Sequence, residues 1–228
     1  MSIEATKPSL RFVLSLLIPV ICMGVVILTS NELVQHPVIS LFGMTELFGL
    51  PLADILTWGA FTYPIAFLVT DTTNRLFGPE KARKVVIVGF GLGVFLSLSA
   101  AFSIAAAVAA ETSTSLLDAL FNNDEAFGML RVSVASGSAF LIAQLLDVAL
   151  FDRLRQGTWW KAPVISSFVS SIIDTAIFFS LAFGGTGLPW ETWALGDFTA
   201  KLVMIAVLLY PFRLLVSFYP ANMREAAS

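Results

Sequence analysis

Long apolar runs separated by short polar stretches set the pattern of this chain. The runs cover about 10–30, 57–76, 85–110, 127–151, 163–183 and 195–218, each close to the roughly 20 residues a helix needs to cross a hydrocarbon core. The pattern predicts an all-α polytopic membrane bundle of six transmembrane helices, with residues 1–228 as one domain. The first run follows Lys7 and Arg11 but leads into Thr29-Ser30-Asn31-Glu32 without a small-x-small cleavage site, so it reads as an uncleaved span. Pro19 and Gly24 inside it are tolerated because neighbouring helices can satisfy freed backbone groups.

The connections carry their own signals. Pro37, Gly43, Gly49 and Pro51 interrupt residues 31–56, which predicts an extended or partly re-entrant segment on the outer side. Tyr63-Pro64 predicts an irregularity in the second span, and residues 78–84 read as a basic loop. In the third span Gly89, Gly93, Ser97, Ala101, Ala105 and Ala109 fall four apart. Such a ridge of small residues lets another helix approach closely and could serve a homo-oligomer as well as the bundle.

Composition narrows the class. Hydrophobic residues make up 57% of the chain and charged residues 13%, with a mean hydropathy of +0.86; soluble domains are nearer about 45–50% and about 25%. The chain therefore belongs in a lipid bilayer, with no length left for a separate soluble domain. A net charge of −3 lacks the basic face that a nucleic-acid partner requires. Cys22 is the single cysteine; it cannot form an intrachain disulfide and reads as packing. With the N-terminus inside, all of the 13 Lys and Arg residues except Arg131 and Lys201 fall on the inner side, which predicts that both termini are cytoplasmic.

Against this background, polar residues within the spans stand out. Ser133, Ser136, Gly137, Phe140, Gln144 and Asp147 share one helical face, as do Ser167, Ser170, Ser171, Asp174 and Phe178 in the next span. Thr70, Asp71 and Asn74 form a third polar face. An unpaired charge facing lipid costs several kcal/mol, so these faces must line the bundle interior or a watery cavity. Simpler roles exist for some of them: Asp71 can pair with Arg75 one turn on, Asp147 with a basic inner-loop residue, and Lys201 with Asp197 as an outer-end ion pair. Asp174, near mid-membrane, has no basic residue within a turn and is the strongest candidate for a functional carboxylate. His36 sits in a loop and is the weakest candidate for a proton relay.

Enzyme chemistry finds little support. Residues 71–83 loosely approach the D-x-x-D-G-x-x-A-R signature of membrane phosphatidyltransferases, but Asn74 replaces its second Asp and Gly78 is displaced. There is no H-E-x-x-H and no nucleophile elbow. No metal site and no cofactor are expected.

Three blocks, T-W-G-A-F-T-Y-P-I-A-F-L-V-T-D-T-T-N-R-L-F-G-P-E-K-A-R-K, A-Q-L-L-D-V-A-L-F-D-R-L-R and S-S-F-V-S-S-I-I-D-T-A-I-F-F-S-L-A-F, resemble the queuosine precursor transporter family, also called the vitamin uptake transporter family, and most closely its proteobacterial inner-membrane type. The resemblance covers nearly the whole chain. It implies six helices arranged like the substrate-binding subunits of energy-coupling-factor transporters. It also implies import of 7-deazaguanine bases, such as the 7-cyano and 7-aminomethyl queuosine precursors, for tRNA modification. The alternative is the binding subunit of an ATP-driven energy-coupling-factor vitamin transporter.

The family's T-D-x-x-N falls on Thr70, Asp71 and Asn74, and the aspartate of its fifth helix on Asp174; Arg75 stands where many members carry Glu. For such a ligand, carboxylates accept paired N–H donors. The substrate-binding set expected is then Asp174, Asp71, Asn74, Asp147, Gln144, Ser170 and Ser171, with Phe61, Tyr63, Phe140 and Phe178 stacking on the base.

Overall fold

A computed structural model describes residues 10–218. Lys7 and Arg224, which contribute to the expected orientation, lie outside the described residues, as do both termini. Helix α1 (Leu10–Leu33) is followed by a hairpin of β1 (Glu46–Leu47) and β2 (Leu50–Pro51) and by two one-turn helices, α2 (Leu52–Ile55) and α3 (Gly59–Thr62). Then come α4 (Ile65–Phe77), α5 (Pro79–Thr112), the short α6 (Leu116–Asn122), α7 (Asp124–Leu154), α8 (Lys161–Phe183) and α9 (Trp190–Phe218). Among the described residues, five helices (α1, α5, α7, α8 and α9) are long and apolar enough to cross a membrane.

The second apolar run does not form one continuous helix. Pro64 has no N–H to give to the preceding turn and its ring crowds that turn. The N–H groups of Ala66 and Phe67 bond instead to Tyr63 and Pro64, three residues back, at 2.9 and 3.1 Å. The result is the break between α3 and α4. The basic stretch after Gly78 is also not a loop but the start of α5. Pro79 at the first helical position is pre-set for it, and Lys84 pairs with Glu80 at 2.8 Å one turn away. Gly78, at φ 86°, makes the sharp turn between α4 and α5.

The long helices form an arc in the order α1, α5, α7, α8, α9, and α4 lies inside it, touching all five. Helix α3 packs on both α1 and α9 and so fills the mouth of the arc. Seven of the thirteen α4 residues are buried, including Thr70, Asp71, Thr73 and Asn74. The small-residue ridge of α5 is used within the chain: a Cβ on Gly89 would meet Met23 of α1, and Ala101 and Ala105 pack with Ala119, Leu120 and Ala126. Cys22 is exposed on α1 rather than packed.

Residues 34–58 fold back over one end of the bundle. Val38, Leu52, Ile55, Leu56 and Ala60 form a buried cluster with Ala200 of α9. Gly196 lets this cap settle, since a Cβ there would lie 2.6 Å from the Ile55 carbonyl oxygen. At the α8 end of the same side, Arg131 of α7 donates to the carbonyls of Leu181 and Gly184 at 2.7 and 2.6 Å, satisfying groups a helix C-terminus leaves open. The opposite end carries Arg75, Arg155, Lys161 and Arg213, with Arg213 stacked over Trp159 at 4.8 Å.

Candidate functional site: two polar clusters inside the bundle

The stripes on α4, α7 and α8 meet in the interior as two clusters. The first lies toward the basic end. There Asp71 of α4 and Asp147 of α7 face each other within interacting distance, with Ser166 and Ser167 of α8 beside them. Asp147 is fully buried and Asp71 is 3% exposed. Ser167 donates to Asp71 Oδ2 at 3.5 Å, a long bond. Asp71 Oδ1 and both oxygens of Asp147 make no hydrogen bond of normal geometry. Two facing carboxyls in a water-poor setting need a proton, a cation or donor groups from a ligand to balance them.

The neighbours of this pair are mostly committed. Thr70 donates to Gln144 Oε1 at 3.0 Å, and Asn74 Nδ2 donates to the Val148 carbonyl at 2.9 Å; both tie α4 to α7. Arg75 directs its guanidinium to the Arg155 carbonyl, so the simple pairing of Asp71 with the next turn is not what the fold makes. Nor does Asp147 meet a basic loop residue. Neither carboxyl has an ion-pair partner among the described residues.

The second cluster lies two turns further along α8, about 10 Å away at 1.5 Å per residue. Lys201 of α9 donates to Asp174 Oδ2 at 2.6 Å, pairs with Asp197 Oδ2 at 2.5 Å and reaches Thr175 at 3.0 Å. Thr175 in turn donates to Asp197 at 3.0 Å. Asp174 has no basic residue within a turn of its own helix, and the fold supplies its cation from another helix, 27 residues later. The i,i+4 pair of Asp197 and Lys201 exists, but it is drawn into the interior by Asp174. Tyr63, at the break above α4, donates to Asn31 of α1 at 2.7 Å. Between the clusters, Ser170 and Ser171 are buried with hydroxyls that make no hydrogen bond.

A narrow cleft opens onto the first cluster. Pro64, Phe67, Leu68 and Asp71 of α4, Pro163 and Ser167 of α8, and Ile205, Leu208, Leu209 and Phe212 of α9 line it. Its free space is about 20 Å³, room for about one water molecule. Asp71 is the only ionisable group in its wall. Helix α9 forms one side, tied to the bundle by Lys201 near one end and by the edge-on contact of Phe212 with Phe151, 6.0 Å between ring centres, near the other.

Of the aromatic residues expected to stack, none lines this cleft. Phe61 packs with the cap cluster, Phe140 fills the contact of α7 with α4 and α5, and Phe178 stands edge-on to Phe179 and Phe183. The aromatic residue beside Asp71 is Phe67, one turn before it and one turn after Tyr63. That spacing was available in the sequence. Ser166 was equally visible as part of the α8 serine run, whereas the reach of Lys201 to Asp174 was not.

A family model described as "Putative vitamin uptake transporter" matches residues 57–219, a stretch that contains both clusters and the cleft. The chain is 39% identical over 163 residues to the "Probable queuosine precursor transporter" of Haemophilus influenzae, covering 68% of this chain and 66%, just under two thirds, of that one. It is 34% identical over 202 residues to the "Queuosine precursor transporter" of Escherichia coli K12, covering 82% and 79%. A "Probable queuosine precursor transporter" of Bacillus subtilis is 31% identical over 171 residues, covering 72% and 70%. No solved structure matches the chain.

Proposed function

The chain belongs to the vitamin uptake transporter family, and from that premise we propose that it imports 7-deazaguanine precursors of queuosine across the bacterial inner membrane. The curated relatives carry queuosine precursor transport in their names. In this reading the basic end faces the cytoplasm, in keeping with the distribution of Lys and Arg. The α3–α4 pair adds a sixth, broken crossing, the type of discontinuous helix from which transporter sites are built.

The observation that carries the proposal is the buried Asp71 carboxyl, with an oxygen to spare, in the wall of a cleft beside Phe67 and Ser167. A deazaguanine presents adjacent N–H donors on one edge. Asp71 accepts them side by side, the geometry that makes charge-assisted pairs strong, and the Phe67 ring stacks on the flat base. Gln144, Ser170 and Ser171 offer further polar contacts, and Asp147 supports Asp71 from behind. Asp174 and Tyr63 act at the cap end, where Lys201 holds α9 against α8, as a gate rather than as the base reader.

The cleft as it stands is too small for a bicyclic base. Binding therefore requires α9 to swing from α4 and α8, the motion that alternately exposes the site. In cells without their own synthesis of the precursor, supplied base should restore queuosine in tRNA through this chain. Asp71→Asn at equal expression keeps one acceptor oxygen but loses the charge and sets an N–H donor against the second base donor, together about 3 kcal/mol or about a hundredfold in affinity. Unchanged queuosine in that variant would sink the assignment. Uptake by the pure chain in liposomes would rule out any need for a separate ATP-driven coupling complex.

A further inference from the structure

The cleft explains Asp71 but leaves the Asp147 carboxyl unbalanced. Asp147 lies behind Asp71 on α7, outside the cleft wall, fully buried. A neutral base entering the cleft can satisfy one oxygen edge of Asp71, but it brings no charge to offset the second carboxyl. Something else must do so.

The surroundings of Asp147 supply oxygen and little more. Ser166 Oγ, Ser170 Oγ and Asn74 Oδ1 are fully buried and without hydrogen bonds, like both Asp147 oxygens and Asp71 Oδ1. Ser166 stands next to Asp147, Ser170 follows one turn along the same face, and Asn74 is held alongside by its bond to Val148. On the α5 side, Ala82 and Val86 pack against Val148, the residue after Asp147. The charged groups near it are few. Helix α4 contributes Asp71 and, one turn on, Arg75, which is engaged with Arg155. Helix α8 contributes Lys161 at its first residue, five before Ser166, and then no titratable group until Asp174, which Lys201 holds. From α9, Phe212 faces Phe151.

We propose that Asp147, Asp71, Ser166, Ser170 and Asn74 form a monovalent-cation site, for a proton or Na⁺, that shares the Asp71 carboxyl with the base. All its donors are oxygens, which suits hard cations. Mg²⁺ keeps several waters and Ca²⁺ takes six to eight oxygens; the adjoining free space admits about one water. Because Asp71 belongs both to this site and to the cleft, cation and base bind with linked affinities. This linkage rests on the transport reading above, whereas the cation site itself does not.

The test therefore uses cation binding without any base. The purified full chain in detergent is unfolded thermally while choline chloride is exchanged for sodium chloride at constant ionic strength, with KCl, MgCl₂ and CaCl₂ as comparisons, and in a parallel pH series. For wild type, Tm rises by several degrees either with Na⁺ or as pH falls, and Asp147→Asn abolishes that response. A Na⁺ response identifies sodium. A pH response accompanied by loss of a protonated-carboxyl stretch in the infrared difference spectrum of Asp147→Asn identifies the proton.

If Asp147→Asn does not fold, Ser166→Ala must shift the midpoint of the cation response toward higher concentration, or the pH midpoint, without removing Asp147. A wild type indifferent to both Na⁺ and pH, a response equal in the variants, or one elicited only by divalent ions overturns the proposal. Failure of base uptake with an intact cation response would instead remove the transport reading and leave the site standing.

Discussion

Replacing Lys201 by Met tests the physical account of the cap-end cluster. The lysine side chain is 6% exposed and carries two carboxylates, Asp174 at 2.6 Å and Asp197 at 2.5 Å. Met keeps most of the apolar stem and removes the charge, so packing is nearly preserved while both carboxylates lose their cation. Removing one partner of a buried pair costs roughly 3–5 kcal/mol. Asp174 and Asp197 retain 22% and 19% of their side-chain exposure, so partial solvation places the cost near the lower end, about 3 kcal/mol. For a chain of this size that corresponds to a fall in Tm of roughly 6–12 °C. Adding Asp174→Asn and Asp197→Asn to Lys201→Met removes the stranded charges and should recover most of the loss, because the penalty is that of unpaired charge rather than of a missing attraction. Thermal unfolding in detergent, followed by tryptophan fluorescence, reads both. A single variant within about 2 °C of wild type, or a triple variant no better than the single, would refute the reasoning.

Other substitutions test the packing. Gly196→Ala drives a Cβ to 2.6 Å from the Ile55 backbone oxygen and Gly89→Ala drives one to 2.7 Å from Cγ of the buried Met23; each should cost about 1–3 kcal/mol, read as a fall in Tm. Asn74→Ala removes the bond that ties α4 to the Val148 carbonyl of α7, which keeps its own intrahelical bond, a loss of about 0.5–1.5 kcal/mol read by the same assay. Arg131→Ala strips two carbonyl partners from the end of α8, and hydrogen exchange at Leu181 to Gly184 should rise before global stability changes much.

Most of the helical architecture can be read along the chain, because a helix buried in lipid needs a run of apolar residues of nearly fixed length and short polar turns between runs. The break at Tyr63-Pro64 could be read as well, since proline carries its own constraint wherever it stands. The starts of α5 and α9 could not: residues 79–84 and 190–194 are polar or mixed, and they become helical through local pairs and caps that composition does not register. The hairpin at 46–51 rests on Phe48 and Gly49 at positive φ, a detail too short for any periodic signal.

The stripes of Asp71, Asp147 and Asp174 follow from helical spacing alone, and so does the inference that they face inward, because lipid will not accept them. Which partner each carboxyl meets depends on the depth and rotation of helices far apart in sequence. Thr70 and Gln144 are 74 residues apart, and Asp174 receives Lys201 from α9 while Asp71 and Asp147 receive no cation among the described residues. The sequence by itself determined that three carboxyls face inward; the tertiary structure decided that one is neutralised within the fold and two are not. Burial is a property of one helix in its solvent, while neutralisation is a property of the pair of helices that happens to bring two side chains within 3 Å.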